Sequence, residues 1–297
     1  MLSYQHIYHA ANFADVQKHA LLAQVLKALC NKPAPMAVID THAGRGIYGL
    51  GDDEAQKNRE FDNGVTAFWD QRTDMPASLA PWLNAVAAVN DGDDLLRYPG
   101  SAYLARQMLR AGDRLVAAER HPGEFGHLQQ ALAGKPRTQT VHGDGLQVLI
   151  DHLPMPERRG LAIIDPSYEM KTDYAELPKV ILRALKKMPS LCIFVWYPMM
   201  AANGHRQMMT ELVKSDIRQA LVSEISLNIP PQEHYRMTGS GIMIINPPWP
   251  DAVMNDVTQA VATRLPGDAT GKVFWLDNCS VDPVSYTHLR AHETLRY

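Results

Sequence analysis

The sequence predicts an α/β fold in which helices cover both faces of a mostly parallel sheet. Seven short apolar stretches alternate along the chain with segments whose apolar residues recur at helical spacing. Such alternation is typical of a doubly wound sheet. The predicted strands are Met36–Asp40, Leu115–Glu119, Thr138–Asp144, Leu161–Asp165, Leu191–Tyr197, Leu221–Leu227 and Gly241–Asn246. The predicted helices are Val16–Leu29, Ser101–Arg110, Glu124–Leu132, Tyr174–Leu185 and Arg206–Val213.

The interval between the first two strands is far longer than the roughly 10–15 residues that a crossover helix needs. It contains a polar run and then large apolar side chains, among them Phe68, Trp69 and Trp82. We therefore expect a small helical insertion at about 51–98, within one domain at 1–280 whose core comprises 1–50 and 99–280. The tail at 281–297 has no place in this pattern, and we expect it to be disordered or not native to the protein.

Composition argues against several classes of protein. The 46% of hydrophobic residues can fill a sizeable core, and no apolar run approaches the roughly 20 residues that cross a bilayer. The first residues lack the apolar segment of a signal peptide, so we expect a cytoplasmic protein with no membrane partner. Cys30, Cys192 and Cys279 lack the spacing of a zinc site or a disulfide framework, and no metal is predicted.

The net charge of −3 gives no overall attraction to a polyanion. Basic residues are nevertheless frequent near the start of the chain, where Lys18, Lys27, Lys32 and Arg45 occur. This is the part of the sequence that we expect to face phosphate groups.

A glycine-rich turn follows the first predicted strand, at Asp40-Thr41-His42-Ala43-Gly44-Arg45-Gly46. Glycine lets the backbone approach a ligand closely, although a tight turn without a ligand is also possible. Gly44, Gly46 and Gly49 match the dinucleotide pattern G-x-G-x-x-G. In that fingerprint the first glycine follows the strand almost directly, whereas three residues separate Asp40 from Gly44. The spacing resembles instead the first motif of class I methyltransferases, whose cofactor is S-adenosylmethionine.

Acidic residues end the next two predicted strands, at the edge of the sheet where open α/β folds bind ligands. Glu119 can accept hydrogen bonds from both ribose hydroxyls of a nucleoside. Asp144, followed by Gly145, can accept a hydrogen bond from an adenine amine. Each acid alone is more often a helix cap or a solvated loop residue, but their order along the sheet favours a nucleoside site.

The fourth predicted strand leads into Asp165-Pro166-Ser167-Tyr168, which resembles the D/N-P-P-Y/F/W motif of amino-methyltransferases. An exocyclic adenine amine is a poor nucleophile, because its lone pair is delocalised into the ring. The Asp165 carboxylate and the Pro166 carbonyl can accept its two N–H bonds, and Tyr168 can stack on the base. Asp165 can then take the released proton. Ser167 replaces a usual proline, so we expect altered precision rather than lost activity.

A later segment, Asn246-Pro247-Pro248-Trp249, matches the same motif more literally. It follows the seventh predicted strand rather than the fourth, and the fourth is the one beside the cofactor strand. We therefore assign the chemistry to Asp165 and treat Asn246 as the weaker alternative.

The first residues of the chain are rich in polar side chains and open a predicted helix. Lys18 or His19 can meet the carboxylate of the cofactor's methionine part. Tyr4 and His6 can reach the substrate. The alternative for this segment is a solvated helix start.

Taken together, these motifs resemble the bacterial 23S ribosomal RNA adenine-N6 methyltransferases of the ribosomal large subunit methyltransferase J family. The resemblance covers nearly the whole chain up to about residue 280. It is carried by His9 to His19, Asp40 to Gly46, Tyr98 to Ser101, Glu119, Asp144-Gly145, Asp165 to Glu169 and Gly239 to Trp249.

The resemblance implies a monomeric, Rossmann-like class I methyltransferase with a seven-stranded, mostly parallel sheet. It implies that the enzyme modifies an adenine of 23S rRNA before the ribosome is fully assembled. Asp165 is then also the proton acceptor, and Tyr4 contacts the RNA. The cofactor-site residues that it implies are His19, His42, Ser101, Glu119, Asp144, Gly145 and Asp165.

This chain departs from the family pattern at Ala11, where glycine is usual, and at Ala102, where proline is usual. Two other functions stay open at this stage. One is methylation of adenine in DNA, and the other is a non-catalytic RNA-binding assembly factor.

Overall fold

The computed structural model describes residues 5–170, 172–200, 202–215, 217, 219–228 and 237–277. Within them the strands are β1 (Ala37–Asp40), β2 (Ile47–Gly49), β3 (Arg97–Pro99), β4 (Arg114–Glu119), β5 (Thr138–His142), β6 (Gly160–Ile164), β7 (Cys192–Met199), β8 (Ala220–Ser226), β9 (Gly239–Ile245) and β10 (Thr270–Trp275). The α-helices are α1 (Phe13–Cys30), α2 (Asp53–Asn58), α3 (Val65–Trp69), α4 (Ala80–Ala87), α5 (Ser101–Met108), α6 (Pro122–Ala131), α7 (Gly145–Asp151), α8 (Asp173–Lys187), α9 (Gly204–Lys214) and α10 (Asp251–Ala262). Tyr4 and the predicted tail at 281–297 lie outside the described residues.

The main sheet contains eight strands in the order β10-β8-β9-β7-β6-β1-β4-β5. β1 pairs in parallel with β4 and β6, β4 pairs in parallel with β5, and β6 pairs in parallel with β7. β9 is antiparallel to both β7 and β8, and β10 is antiparallel to β8. The mostly parallel α/β fold that the sequence predicts is confirmed.

One strand of the main sheet was not predicted, so the sheet has eight strands in place of the expected seven. The additional strand is β10, at the edge of the sheet. Its residues are exposed or only partly buried, and Gly271 and Lys272 interrupt its apolar pattern. An edge strand of this kind gives little hydrophobic signal in the sequence.

A second sheet has two strands, one just before the predicted insertion and one at its end. β2 and β3 pair antiparallel, with Ile47 opposite Pro99 and Gly49 opposite Arg97. The chain therefore leaves the core and returns to it at adjacent points. Between them it forms α2, α3, α4 and two short 3-10 helices, Glu60–Asn63 and Arg72–Asp74.

Helix α1 carries several polar side chains that the fold buries. It begins at Asn12, whose side-chain oxygen accepts hydrogen bonds from the amides of Ala14 and Asp15 at 3.0 Å. Residues Ala14 to Leu26 are all buried, including Asp15 and Lys18. A charge held inside the protein requires a partner, and the partners of these two residues lie at the candidate site.

The parallel strands bring their carboxyl ends to one edge of the sheet. Asp40 ends β1, Glu119 ends β4, and Asp165 directly follows β6. Because β4 and β6 flank β1, these three acids lie on neighbouring strands. In the described part of the chain, no helix is both long and apolar enough to span a membrane.

Candidate active site

A cavity of about 1300 Å³ opens at the carboxyl edge of the sheet. Apart from Tyr4, every residue that the sequence predicts for the site lines this cavity. These residues are His6, Lys18, His19, His42, Gly44, Ser101, Glu119, Asp144, Gly145, Asp165, Pro166 and Tyr168.

The glycine turn after β1 has a conformation that its sequence permits. Gly44 has φ +59°, a left-handed value that favours glycine. A Cβ atom at this position would collide with the hydroxyl of Tyr48. The amide of Gly44 donates a hydrogen bond to Glu119 Oε2 at 2.9 Å, which joins the turn to the end of β4.

Glu119 is held by backbone donors on both of its oxygens. Besides the Gly44 amide, the amide of His121 donates to Oε1 at 2.6 Å. Burial raises the pKa of Glu119, and these backbone hydrogen bonds oppose the rise. The carboxylate is thus fixed at the cavity wall with its position set by two loops.

Asp144 both caps a helix and lines the cavity, whereas the sequence left the helix cap and the ligand site as alternatives. Its Oδ1 accepts hydrogen bonds from the amides of Leu146 and Gln147 at 3.0 and 3.1 Å, so it caps α7. Its Oδ2 lies 3.9 Å from Arg120 Nη1 in a solvent-exposed pair. The same side chain lines the cavity.

Ser101 and Asp40 form a buried pair beside the glycine turn. The Ser101 hydroxyl donates a hydrogen bond to Asp40 Oδ2 at 2.6 Å. Burial raises the pKa of Asp40 to about 7, and the Ser101 hydrogen bond limits that rise. Sequence reasoning used Asp40 only to mark the end of the strand.

Lys18 connects the N-terminal helix to the predicted catalytic residue. Its Nζ lies 2.6 Å from Asp165 Oδ2 and 2.9 Å from Asp15 Oδ1. Burial by itself lowers the pKa of Lys18, but attraction to Asp15 and Asp165 raises it above the usual value. The ammonium group is therefore already engaged by two carboxylates of the protein.

Asp15 is the buried centre of this charged group. Its Oδ2 accepts hydrogen bonds from the amide of Ala11 at 2.7 Å and pairs with His6 Nε2 at 2.8 Å. Burial by itself raises the pKa of Asp15, but the nearby charges of His6 and Lys18 hold it well below its usual value. Sequence reasoning missed Asp15, although its spacing of three residues from Lys18 on a helix indicates that the two side chains meet.

The aromatic residue of the motif is held firmly. Tyr168 has φ +54°, and its hydroxyl donates a hydrogen bond to the carbonyl of Trp196 at 2.6 Å. Its ring stacks on Tyr174 with the ring centres 4.6 Å apart. One face of the ring is thus covered by protein while the residue still lines the cavity.

The weaker alternative, Asn246, lies away from this cavity. β9 is antiparallel to β7, and Ile245 at its end pairs with Ile193 near the start of β7. Asn246 is therefore at the opposite edge of the sheet. Its side-chain amide donates hydrogen bonds to the carbonyls of Pro189 and Leu191 at 2.9 Å, which is a structural role.

Comparison with known proteins adds an independent observation. A family described as "Ribosomal RNA large subunit methyltransferase D, RlmJ" matches residues 33–276. The chain belongs to this methyltransferase family.

Curated members of the family from two bacteria are similar over nearly their whole length. Ribosomal RNA large subunit methyltransferase J of Escherichia coli is 37% identical over 279 residues, which cover 93% of this chain and 99% of that protein. The protein of the same name from Haemophilus influenzae is 34% identical, again with 93% and 99% covered.

A solved structure resembles this methyltransferase just as extensively. It is the crystal structure of a Legionella pneumophila protein, with a TM-score of 0.84 and 34% sequence identity. The match covers 91% of this chain and 99% of that one. Fold, enzyme class and family membership therefore agree.

Proposed function

We propose that this methyltransferase transfers the methyl group of S-adenosylmethionine to N6 of an adenine in 23S rRNA. The observation that supports it most directly is that the Asp165 carboxylate shares one cavity with Gly44, Glu119 and Asp144. Two similar proteins carry the name ribosomal RNA large subunit methyltransferase J, which supports RNA as the substrate.

The cavity wall fits the proposed cofactor. Glu119 is a fixed carboxylate of the kind that accepts ribose hydroxyls, and it lines the cavity together with Gly44. His19 is buried, and its Nε2 makes no hydrogen bond with a described residue although the residue lines the cavity. A buried polar atom without a partner supports a ligand at that position. Ser101, His42 and Gly145 complete the proposed binding residues.

S-adenosylmethionine supplies a methyl group that is electrophilic because it is attached to a positively charged sulfur. The protein has to make the adenine amine nucleophilic and hold it in line. In our proposal, Asp165 Oδ1 and the Pro166 carbonyl accept the two N–H bonds of the amine. The lone pair of the nitrogen is then drawn out of the ring and directed at the methyl carbon.

The proton that leaves the amine passes to Asp165 in this proposal. Lys18 donates its hydrogen bond to Oδ2, and Oδ1 makes no hydrogen bond with a described residue. One oxygen is thus fixed by the protein while the other can serve the amine. We assign Lys18 a positioning role here, in place of the cofactor contact that the sequence predicted.

The substrate base enters, in our proposal, beside the ring of Tyr168. Tyr174 already covers one face of that ring, so a base can stack only on the other. An adenine must leave its stack to reach such a site, which favours a single-stranded or loosened RNA segment. We propose that His6 and Tyr4 contact the RNA near this base.

We further propose that the chain acts as a monomer in the cytoplasm, where its substrate is made, on RNA that is not yet fully assembled into ribosomes. The proposed domain comprises 1–280, with 51–98 as a helical insertion. The short sheet of β2 and β3, which brings the two ends of the insertion together, supports this division.

The test is to incubate the purified protein with labelled S-adenosylmethionine and either protein-free 23S rRNA or duplex DNA, and to digest the products to nucleosides. We expect label in N6-methyladenosine from RNA alone. Label in DNA would favour the DNA methyltransferase. Binding of RNA without any incorporation would favour the assembly factor.

A further inference from the structure

The edge of the sheet opposite the candidate active site carries a row of basic residues. The parallel strands β1, β4, β5 and β6 all begin at this edge. Basic side chains lie at or directly before the starts of β4, β5 and β6, in the loop before β1, and at the end of α8, which leads into β7. The residues that we call the basic edge are Lys32, Arg114, Arg137, Arg158, Arg159 and Lys187.

Hydrogen bonds between neighbouring strands place these residues side by side. The amide of Leu115 donates to the carbonyl of Arg137 at 3.0 Å, and the amide of Arg114 donates to that of Met36 at 3.0 Å. The amide of Ala37 donates to the carbonyl of Arg159 at 3.1 Å. Since adjacent strands are about 4.8 Å apart, the row extends over roughly 14 Å across four strands.

The acids nearby leave this edge positively charged. Asp113 is fully buried, and Glu157, whose side chain is 7% exposed, accepts two hydrogen bonds from Arg114. Asp151 is an exposed acid at the end of α7. Lys32, Arg137 and Arg158 are all exposed, so the surface that meets solvent is dominated by cations.

Two of the arginines have backbone conformations that do not favour arginine. Arg137 has φ +49° and Arg158 has φ +51°. Glycine or asparagine is preferred there, and another residue costs on the order of 1 kcal/mol. Arg137 Nη2 lies 3.8 Å from the largely buried Glu157, which already accepts two hydrogen bonds from Arg114, and this long contact from a half-exposed arginine contributes little stability. The backbone conformation of the two turns thus does not favour arginine at either position. A negatively charged binding partner for the two side chains would.

We propose that the basic edge binds the phosphate backbone of the RNA substrate at a distance from the methylated base. This inference rests on the proposed function. The active site and the basic edge lie at opposite ends of the parallel strands, so a long folded RNA can reach both and a short fragment cannot. The net charge of −3 is compatible with it, because only local charge is needed.

The test uses a triple variant, Lys32→Ala with Arg137→Asn and Arg158→Asn. Asparagine tolerates a positive φ, so we expect the melting temperature to stay the same or to rise. A matched control, Lys179→Ala with Arg183→Ala and Lys272→Ala, removes three exposed cations from other surfaces. Both are titrated with protein-free 23S rRNA over a range of salt concentrations, and both are assayed on the shortest 23S fragment that accepts a methyl group.

We expect the triple variant to bind full-length 23S rRNA about tenfold more weakly, and the slope of log affinity against log salt to fall by roughly 2 to 3. The control should stay within about twofold of the parent, and both variants should methylate the short fragment at the parent rate. Parent-like affinity and salt slope in the triple variant would overturn the inference. If the parent binds RNA but methylates no fragment, the proposed function fails, while the binding comparison still decides the role of the basic edge.

Discussion

Lys18 Nζ lies 2.6 Å from Asp165 Oδ2, although 147 positions separate the two residues in the sequence. Asp15, one helical turn before Lys18, holds the other side of the ammonium group at 2.9 Å. The N-terminal helix thereby fixes one oxygen of the carboxylate to which we assign the chemistry. This relationship gives the first prediction.

Lys18→Met should reduce the turnover number by about 100-fold, because Asp165 loses the contact that sets its position. Lys18→Arg keeps a cation at this place and should recover part of the loss. S-adenosylhomocysteine affinity, measured by calorimetry, should change little in both variants. A large loss of that affinity with an unchanged turnover number would support the cofactor contact that the sequence predicted.

Glu119→Ala should weaken S-adenosylhomocysteine binding about 10- to 100-fold, since a charge-assisted hydrogen bond contributes roughly 1.5–3 kcal/mol. Calorimetric titration of the purified protein measures this directly. Glu211→Ala is the matched control, because Glu211 is an exposed acid on α9 that pairs with Lys214 at 2.9 Å. Equal affinities of the two variants would remove Glu119 from the proposed cofactor site.

The buried His19 predicts a loss of stability in acid. Burial lowers its pKa to about 3 from 6.5, so below pH 6.5 the unfolded chain takes up a proton that the folded protein does not. The free energy of unfolding is therefore higher above pH 6.5 and decreases as the pH falls. Between pH 7 and pH 5, His19 alone lowers it by about 2 kcal/mol.

His19→Gln should remove that part of the pH dependence, and urea unfolding at pH 7 and pH 5 measures it. The control is His127→Gln, which changes an exposed histidine on α6. If the His19 variant loses as much stability in acid as the parent, this histidine is not the neutral buried group that we describe.

Ser167→Pro restores the usual residue of the motif. Proline reduces the freedom of the loop before Tyr168, by roughly 0.4–1 kcal/mol at a compatible position. We expect the turnover number to rise about two- to fivefold, with unchanged S-adenosylhomocysteine affinity. A loss of more than about tenfold under single-turnover conditions would mean that the serine hydroxyl takes part in the reaction.

The sequence predicts which of these side chains lie around one cavity, because parallel strands all present their carboxyl ends at one edge. Gly44, Glu119 and Asp165 each follow a continuous apolar strand, so the polarity of the sheet alone brings them together. The same reasoning rejected Asn246 on its place in the chain. The structure supplies the physical reason, since β9 is antiparallel and ends at the opposite edge.

The sequence did not reveal the partners of Lys18, because a contact across 147 positions depends on how α1 packs against the sheet. Local spacing indicated polar residues in α1, but they could equally belong to a solvated helix start. β10 was missed for a different reason. It begins with Thr-Gly-Lys, which lacks the apolar pattern of a strand, and it is a strand only because it pairs with β8 in the folded protein.

The most direct test of the account is single-turnover methyl transfer to protein-free 23S rRNA by Asp165→Ala, at a saturating concentration of S-adenosylmethionine. If Asp165 draws out the amine lone pair and takes its proton, the rate of N6-methyladenosine formation should fall by about 10²- to 10⁴-fold. S-adenosylhomocysteine should still bind, which shows that the cavity is intact. A variant that forms N6-methyladenosine at the parent rate would contradict the central claim.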